Sequence, residues 1–110
     1  MTATDVAAAF NERINARDVD GLTALMTDDH TFVDDAGAAV TGRDACAEAW
    51  SGFFAAFPDY RNVFETMTAD GDTVRVTGRS VCAEPALAGP AVWTVTVREG
   101  KVSRWQVSGA

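Results

Sequence analysis

The sequence has 110 residues, of which 47% are hydrophobic and 23% charged, and its 16 acidic and nine basic side chains give a formal net charge of −7. This length predicts one domain over residues 1–110 that buries about 60–70% of its unfolded surface. Because a phosphate-binding surface needs a clustered basic face, the scattered arginines argue against nucleic acid as a partner.

Cysteine and histidine usage argues against a metal centre. Cys46 and Cys82 have no CxxC spacing, and His30 is the only histidine. We therefore expect no metal, no other cofactor and no Ser-His-Asp relay. The first residues resemble no signal peptide, and no apolar run approaches the roughly 20 residues that span a bilayer, so we expect a cytoplasmic protein with no membrane partner.

Two helices are predicted at the start of the chain. Apolar residues recur every four positions from Val6 to Ile14 and indicate a helix over residues 3–17, for which Thr2 is a plausible cap. A shorter helix is predicted over residues 19–26, and the acidic pair Asp28-Asp29 ends it.

The next segment carries the most informative pattern in the chain. If residues 30–35 form a strand, then His30, Phe32 and Asp34 share one face, because strand side chains alternate with a period of two. Asp34 then points where Phe32 points, and a carboxylate that faces an apolar interior is costly unless it has a function. By the same alternation, Asp35 is expected to point the opposite way, into solvent.

An aromatic helix follows the loop of residues 36–42. It is predicted over residues 43–56, with Thr41 and Asp44 as its start signal. Its apolar face follows the i, i+3, i+4, i+7 spacing of a buried helix and consists of Trp50, Phe53, Phe54 and Phe57.

From residue 60 onward the pattern is typical of strands. They are predicted over residues 60–69, 73–83, 91–98 and 101–108, separated by turns at Asp70-Gly71, residues 84–90 and Glu99-Gly100. Helices followed by an antiparallel meander predict the α+β class, with the helices packed on one face of a curved sheet.

The order of these motifs resembles a known family. An acidic strand, a Gly-Arg-Asp helix start, a Phe-Pro-Asp helix stop, and Asp-Gly-Asp and Glu-Gly-Lys hairpins together resemble the nuclear transport factor 2-like superfamily. Within it, the chain is similar to the SnoaL-like polyketide cyclase and ketosteroid isomerase branch. The resemblance covers essentially the whole chain. It implies a cone-shaped fold, in which N-terminal helices pack in the concave face of a curved, mostly antiparallel sheet around a deep apolar pocket, and it implies a homodimer.

The resemblance also implies a catalytic role for Asp34, which matches the position of the general base in the ketosteroid isomerases. An apolar wall would make this carboxylate a better proton acceptor than an exposed one. That family also uses two oxyanion donors, whose positions are held here by Phe10 and Trp93. The ketosteroid isomerase reaction itself is therefore not expected.

The candidate site combines Asp34, a proton relay at His30, and substrate-binding residues at Phe10, Phe32, Trp50, Phe54, Tyr60, Asn62, Trp93 and Trp105. It favours a cofactor-independent isomerase, cyclase, lyase or hydrolase that acts on a small apolar molecule. The alternative is a non-catalytic ligand-binding or dimerisation domain with the same fold. In that case the aromatic residues fill the interior, His30 is structural, and Asp34 is hydrated or paired with an arginine.

Overall fold

Three helices cover one face of a six-stranded sheet in the computed structural model, which describes residues 1–109. The helices are α1 (Ala3–Ala16), α2 (Val19–Ala24) and α3 (Arg43–Ala56). The strands are β1 (Met26–Val33), β2 (Ala39–Thr41), β3 (Arg61–Asp70), β4 (Thr73–Val81), β5 (Gly89–Arg98) and β6 (Lys101–Gly109), with a short 3-10 helix at Pro85–Leu87. The predicted α+β class is confirmed.

The N-terminal cap of α1 agrees with its prediction, and that of α3 does not. Thr2 and Asp5 form a reciprocal cap of α1, in which each side chain accepts a hydrogen bond of 3.1 Å from the other residue's backbone N–H. The predicted cap of α3 at Thr41 is wrong, because Thr41 is the last residue of β2. Gly42 caps α3 with a φ of 105° and no side-chain hydrogen bond.

The sheet joins the two halves of the chain. Its strand order is β2-β1-β6-β5-β4-β3, and all neighbours are antiparallel except β1 and β6, which are parallel. The predicted meander of the last four strands is therefore confirmed, and β6 is placed in the middle of the sheet. The concave face of this sheet holds the helices, as expected for a cone.

The first strand differs most from its prediction. It runs over Met26–Val33 instead of residues 30–35, and it ends one residue before Asp34. The consecutive exposed residues Asp28 and Asp29 interrupt the alternation where the β1–β6 register shifts, and this irregularity hides the start of the strand. The short strand β2 lies within the predicted loop, where three residues are too few to show a period.

The core lies between the helices and the concave face of the sheet. Phe10 of α1 stacks on Trp105 of β6, with 4.6 Å between their ring centroids. The largest side chains of this core are fully buried and include Trp93, Trp105, Phe10, Ile14, Leu22 and Met26. Within residues 1–109, every helix is too short or too polar to cross a membrane.

Candidate functional site

A cavity of about 460 Å³ opens beside α3, at the C-terminal ends of β1, β4 and β6 and the N-terminal end of β5. This volume lies within the range of about 300–1,000 Å³ that is usual for small-molecule sites. Its walls are mainly apolar, and six aromatic side chains contribute to them: Phe32, Trp50, Phe53, Tyr60, Trp93 and Trp105. The cavity rim, formed by Asp34, Asp35 and residues 86–90, opens to solvent.

Asp34 is held at this rim by the loop that follows β1. Its Oδ1 accepts hydrogen bonds of 2.9 Å from the backbone N–H groups of Ala36 and Ala38. Its Oδ2 accepts none from residues 1–109 and is left for a ligand or water. The half-buried carboxylate therefore lies at the mouth of the cavity instead of deep within the apolar wall.

Asp35 is exposed to solvent, as predicted, but it lies at the same cavity rim as Asp34 and not on the opposite side of the sheet. Strand alternation does not apply to it, because β1 ends at Val33 and Asp35 belongs to a turn. The two aspartates are the only charged residues that line the cavity in the part of the chain that the structure describes.

His30 is buried away from the cavity, and the geometry does not bring it to Asp34. Its Nδ1 donates to the backbone oxygen of Val102 at 2.7 Å, while Nε2 has no hydrogen-bond partner within residues 1–109. The ring lies 5.6 Å from that of Phe10. Burial lowers the pKa of His30, so the side chain is neutral at pH 7 and links β1 to β6.

The buried imidazole predicts a pH-dependent stability. The pKa of His30 is lowered from its ordinary value of 6.5, so below pH 6.5 the unfolded state binds more protons than the folded state. As the pH is lowered below 6.5, the free energy of unfolding should therefore decrease, by up to about 1.4 kcal/mol per pH unit, until the pH reaches the pKa of His30 in the folded state. Urea unfolding between about pH 7 and pH 5 measures this slope.

His30→Asn supplies the control for this slope, because its amide can replace the Nδ1–H donor but does not titrate. The variant should have a lower free energy of unfolding at pH 7 and a flatter dependence on pH. An equal slope in both proteins would show that another group is responsible.

A hydrogen-bonded chain of polar side chains backs one wall of the cavity. The Ser80 hydroxyl donates to Asn62 Oδ1 at 2.9 Å, and the Tyr60 hydroxyl lies 3.2 Å from Ser80 Oγ. Since the single Ser80 proton is directed to Asn62, the Tyr60 hydroxyl donates to Ser80, and its oxygen keeps lone pairs that can accept. Burial raises the pKa of Tyr60, which keeps the phenol protonated.

The indole N–H groups of Trp50 and Trp93 are shielded from the cavity. Both residues line the cavity, but the nitrogens are buried and have no acceptor within residues 1–109. A ligand could reach them only after a side-chain shift. Trp93 therefore offers no exposed donor in this arrangement.

The structure divides the predicted site residues into two groups. Asp34, Phe32, Trp50, Tyr60, Trp93 and Trp105 line the cavity, whereas His30, Phe10, Phe54 and Asn62 lie behind its surface. Phe53 lines the cavity in place of Phe54, because these neighbours flank Trp50 on α3 and helical spacing alone does not say which one faces a pocket. Ser80 and residues 86–90 gave no sequence signal. Among residues 1–109, no group of three or more histidine, cysteine or acidic residues is placed to hold a metal ion.

Comparisons with known proteins place this geometry in context. The model of a family described as the SnoaL-like domain matches residues 7–105. A protein from Sinorhizobium meliloti assigned as a polyketide cyclase has a TM-score of 0.86 and 20% identity, over 98% of this chain and 100% of its own. An uncharacterised cystatin-fold protein from Novosphingobium aromaticivorans has a TM-score of 0.85 and 22% identity, over 97% of each chain.

A third similar structure contains a small molecule. It is a protein from Catenulispora acidiphila with a ketosteroid isomerase-like fold, in complex with trimethylamine, and its TM-score is 0.85 at 19% identity, over 99% of this chain and 88% of that one. No curated protein matches the sequence. At these identities the structural neighbours establish the fold, which is the nuclear transport factor 2-like cone that the motif order predicted.

Proposed function

Because the chain belongs to the SnoaL-like domain family, we propose that it is a cofactor-independent enzyme that binds a small, largely apolar molecule in the cavity and uses Asp34 as general base. The observation that carries this proposal is the free Oδ2 of Asp34 at the rim of an aromatic cavity. A general base needs an unshared lone pair within reach of a bound substrate.

The loop after β1 gives this carboxylate a defined direction. Two backbone N–H groups hold Oδ1, so that Oδ2 is the oxygen with no hydrogen-bond partner within residues 1–109. Fixing a reacting group in advance removes part of the entropic cost of the reaction. Asp34 would either remove a proton from a carbon next to a carbonyl group or activate a water molecule.

The aromatic walls would bind and orient the substrate. Burial of apolar surface contributes roughly 25 cal/mol per Å², so a small hydrocarbon body can be held without many polar contacts. The neighbour that holds trimethylamine supports the view that this architecture accepts small molecules with apolar surfaces. Tyr60, Ser80 and Ser108 are hydroxyl side chains of the lining, and the hydrogen-bonded pair Tyr60–Ser80 would position a polar group of the substrate.

A thermal-shift screen with a blocked cavity tests this proposal. Small apolar ketones and lactones that bind the folded protein should raise its stability, by about 2.7 kcal/mol when present at 100 times Kd. Ala49 is exposed on α3 and lines the cavity, so Ala49→Trp should reduce the shift of any such ligand to near zero.

Ala55→Trp is the matched control, since Ala55 is an exposed residue of the same helix that does not line the cavity. It should leave the shifts unchanged. Equal shifts in wild type and both variants would place the ligand elsewhere and contradict the proposed site. Ligands that bind in the cavity but undergo no reaction would favour the alternative of a non-catalytic binding domain.

A further inference from the structure

We propose that the natural ligand of the cavity carries a positive charge, as a protonated amine or quaternary ammonium group on an apolar body. This inference rests on the proposed function only in that the ligand occupies the same cavity. It concerns the chemical class of the ligand and holds whether or not a reaction follows.

The charge distribution of the cavity is the first argument. Asp34 and Asp35 lie at its rim, and none of the basic side chains in residues 1–109 lines it. Three of the arginines are paired with aspartates elsewhere, in the ion pairs Arg13–Asp18, Arg43–Asp28 and Arg98–Asp29. An anionic ligand would meet two like charges here with no counter-ion, whereas a cation would be attracted.

The arrangement of the aromatic rings is the second argument. Phe32, Trp50, Phe53 and Tyr60 form a continuous series, in which each ring lies nearly perpendicular to the next at centroid distances of 5.5, 5.7 and 4.8 Å. All four of these rings belong to the lining of the cavity. The faces carry the negative part of the ring quadrupole and attract cations, especially quaternary ammonium groups.

The direction of the hydrogen bonds is the third argument. Oδ2 of Asp34 and the phenol oxygen of Tyr60 are both acceptors, because the Tyr60 proton is directed to Ser80. The indole N–H groups of Trp50 and Trp93 are shielded, and the remaining hydroxyl of the lining, Ser108, can accept as well as donate. A ligand that brings N–H or polarised C–H donors therefore finds acceptors in this lining.

The test uses two probes of nearly the same shape, choline and 3,3-dimethylbutan-1-ol, in which a positively charged nitrogen replaces a neutral carbon. All three tryptophans line the cavity, so their fluorescence reports binding. At low ionic strength, choline should bind at least about tenfold more tightly than the alcohol. Equal Kd values, tighter binding of the alcohol, or binding of neither probe would overturn the inference.

Charge-removing variants locate the source of the preference. Asp34→Asn combined with Asp35→Asn should reduce the ratio of the two Kd values to about threefold or less, while the alcohol binds as before. Asp70→Asn combined with Asp72→Asn, in the exposed hairpin that joins β3 to β4, removes two charges away from the cavity and should keep the full ratio. A ratio that survives the double variant would contradict the role of the rim.

The outcomes separate this inference from the proposed enzymatic function. A preference for choline without turnover of any cavity ligand would support the charge inference and contradict catalysis. Turnover of a neutral ligand together with equal Kd values of the two probes would support catalysis and contradict the charge inference.

Discussion

Replacing Asp34 by asparagine is expected to lower the rate of proton transfer by about 10²- to 10⁴-fold at saturating ligand, the usual contribution of a positioned general base. Asparagine keeps an Oδ1 that can accept from Ala36 and Ala38, so the loop should keep its shape. Its second atom is an amide nitrogen without a basic lone pair. The rate is measured by ¹H NMR as deuterium incorporation from D₂O into a ligand that the thermal-shift screen has identified.

Asp35→Asn is the control for this experiment. It removes the same charge from the same rim, so it reproduces any electrostatic effect on ligand binding but leaves the Asp34 carboxylate in place. At saturating ligand its rate should stay within about threefold of wild type. An equal loss in both variants, or an unchanged rate in Asp34→Asn, would remove Asp34 from the mechanism.

Gly78→Ala is expected to destabilise the fold by about 3 kcal/mol or more, the largest effect on stability that we predict for a single methyl group. Gly78 lies in β4 opposite Phe64, next to the register shift in β3. A Cβ at this position would collide with the backbone oxygen of Val63, and a backbone atom held in a strand ladder cannot move aside cheaply. Urea unfolding gives the change in free energy, and we expect Tm to fall by roughly 12 °C.

The same substitution at Gly52 should have the opposite sign. Gly52 is exposed on α3, and a Cβ there would contact nothing within 4 Å. Alanine should stabilise the helix by about 0.5–1 kcal/mol, because glycine loses more backbone entropy on folding. If Gly78→Ala changed stability by less than about 1 kcal/mol, the close approach of β3 and β4 would be refuted.

The helices and the hairpins could be predicted from the sequence because their signals are local. The predicted bounds of α3 match Arg43–Ala56, and α1 ends one residue before its predicted end. The turn at Glu99-Gly100 lies where it was predicted, and the turn predicted at Asp70-Gly71 lies one residue later, at Gly71-Asp72. Gly71 and Gly100 adopt positive φ angles, which glycine tolerates without strain. Such features depend on neighbours in sequence, and a single chain is enough to read them.

The cavity lining is harder to predict from the sequence. A residue lines the cavity only if its side chain borders the empty space, and a buried side chain can equally well be surrounded by other side chains. Phe10 and Trp105 are stacked on each other in the core, yet only Trp105 reaches the cavity. Hydrophobic periodicity predicts burial and cannot distinguish a filled interior from a lined one. Asp35 and residues 86–90 reach the cavity through irregular backbone, where no period applies.

The parallel pairing of β1 with β6 has a consequence for the synthesis of this protein. Strand β6 lies between β1 and β5 in the sheet but comes last of the six strands in the chain. On the ribosome, β1 and Phe10 of α1 therefore have no central neighbour until residues 101–109 emerge. We expect the nascent chain to expose this surface until those residues have left the ribosome, and chaperone capture during that interval would protect it from aggregation.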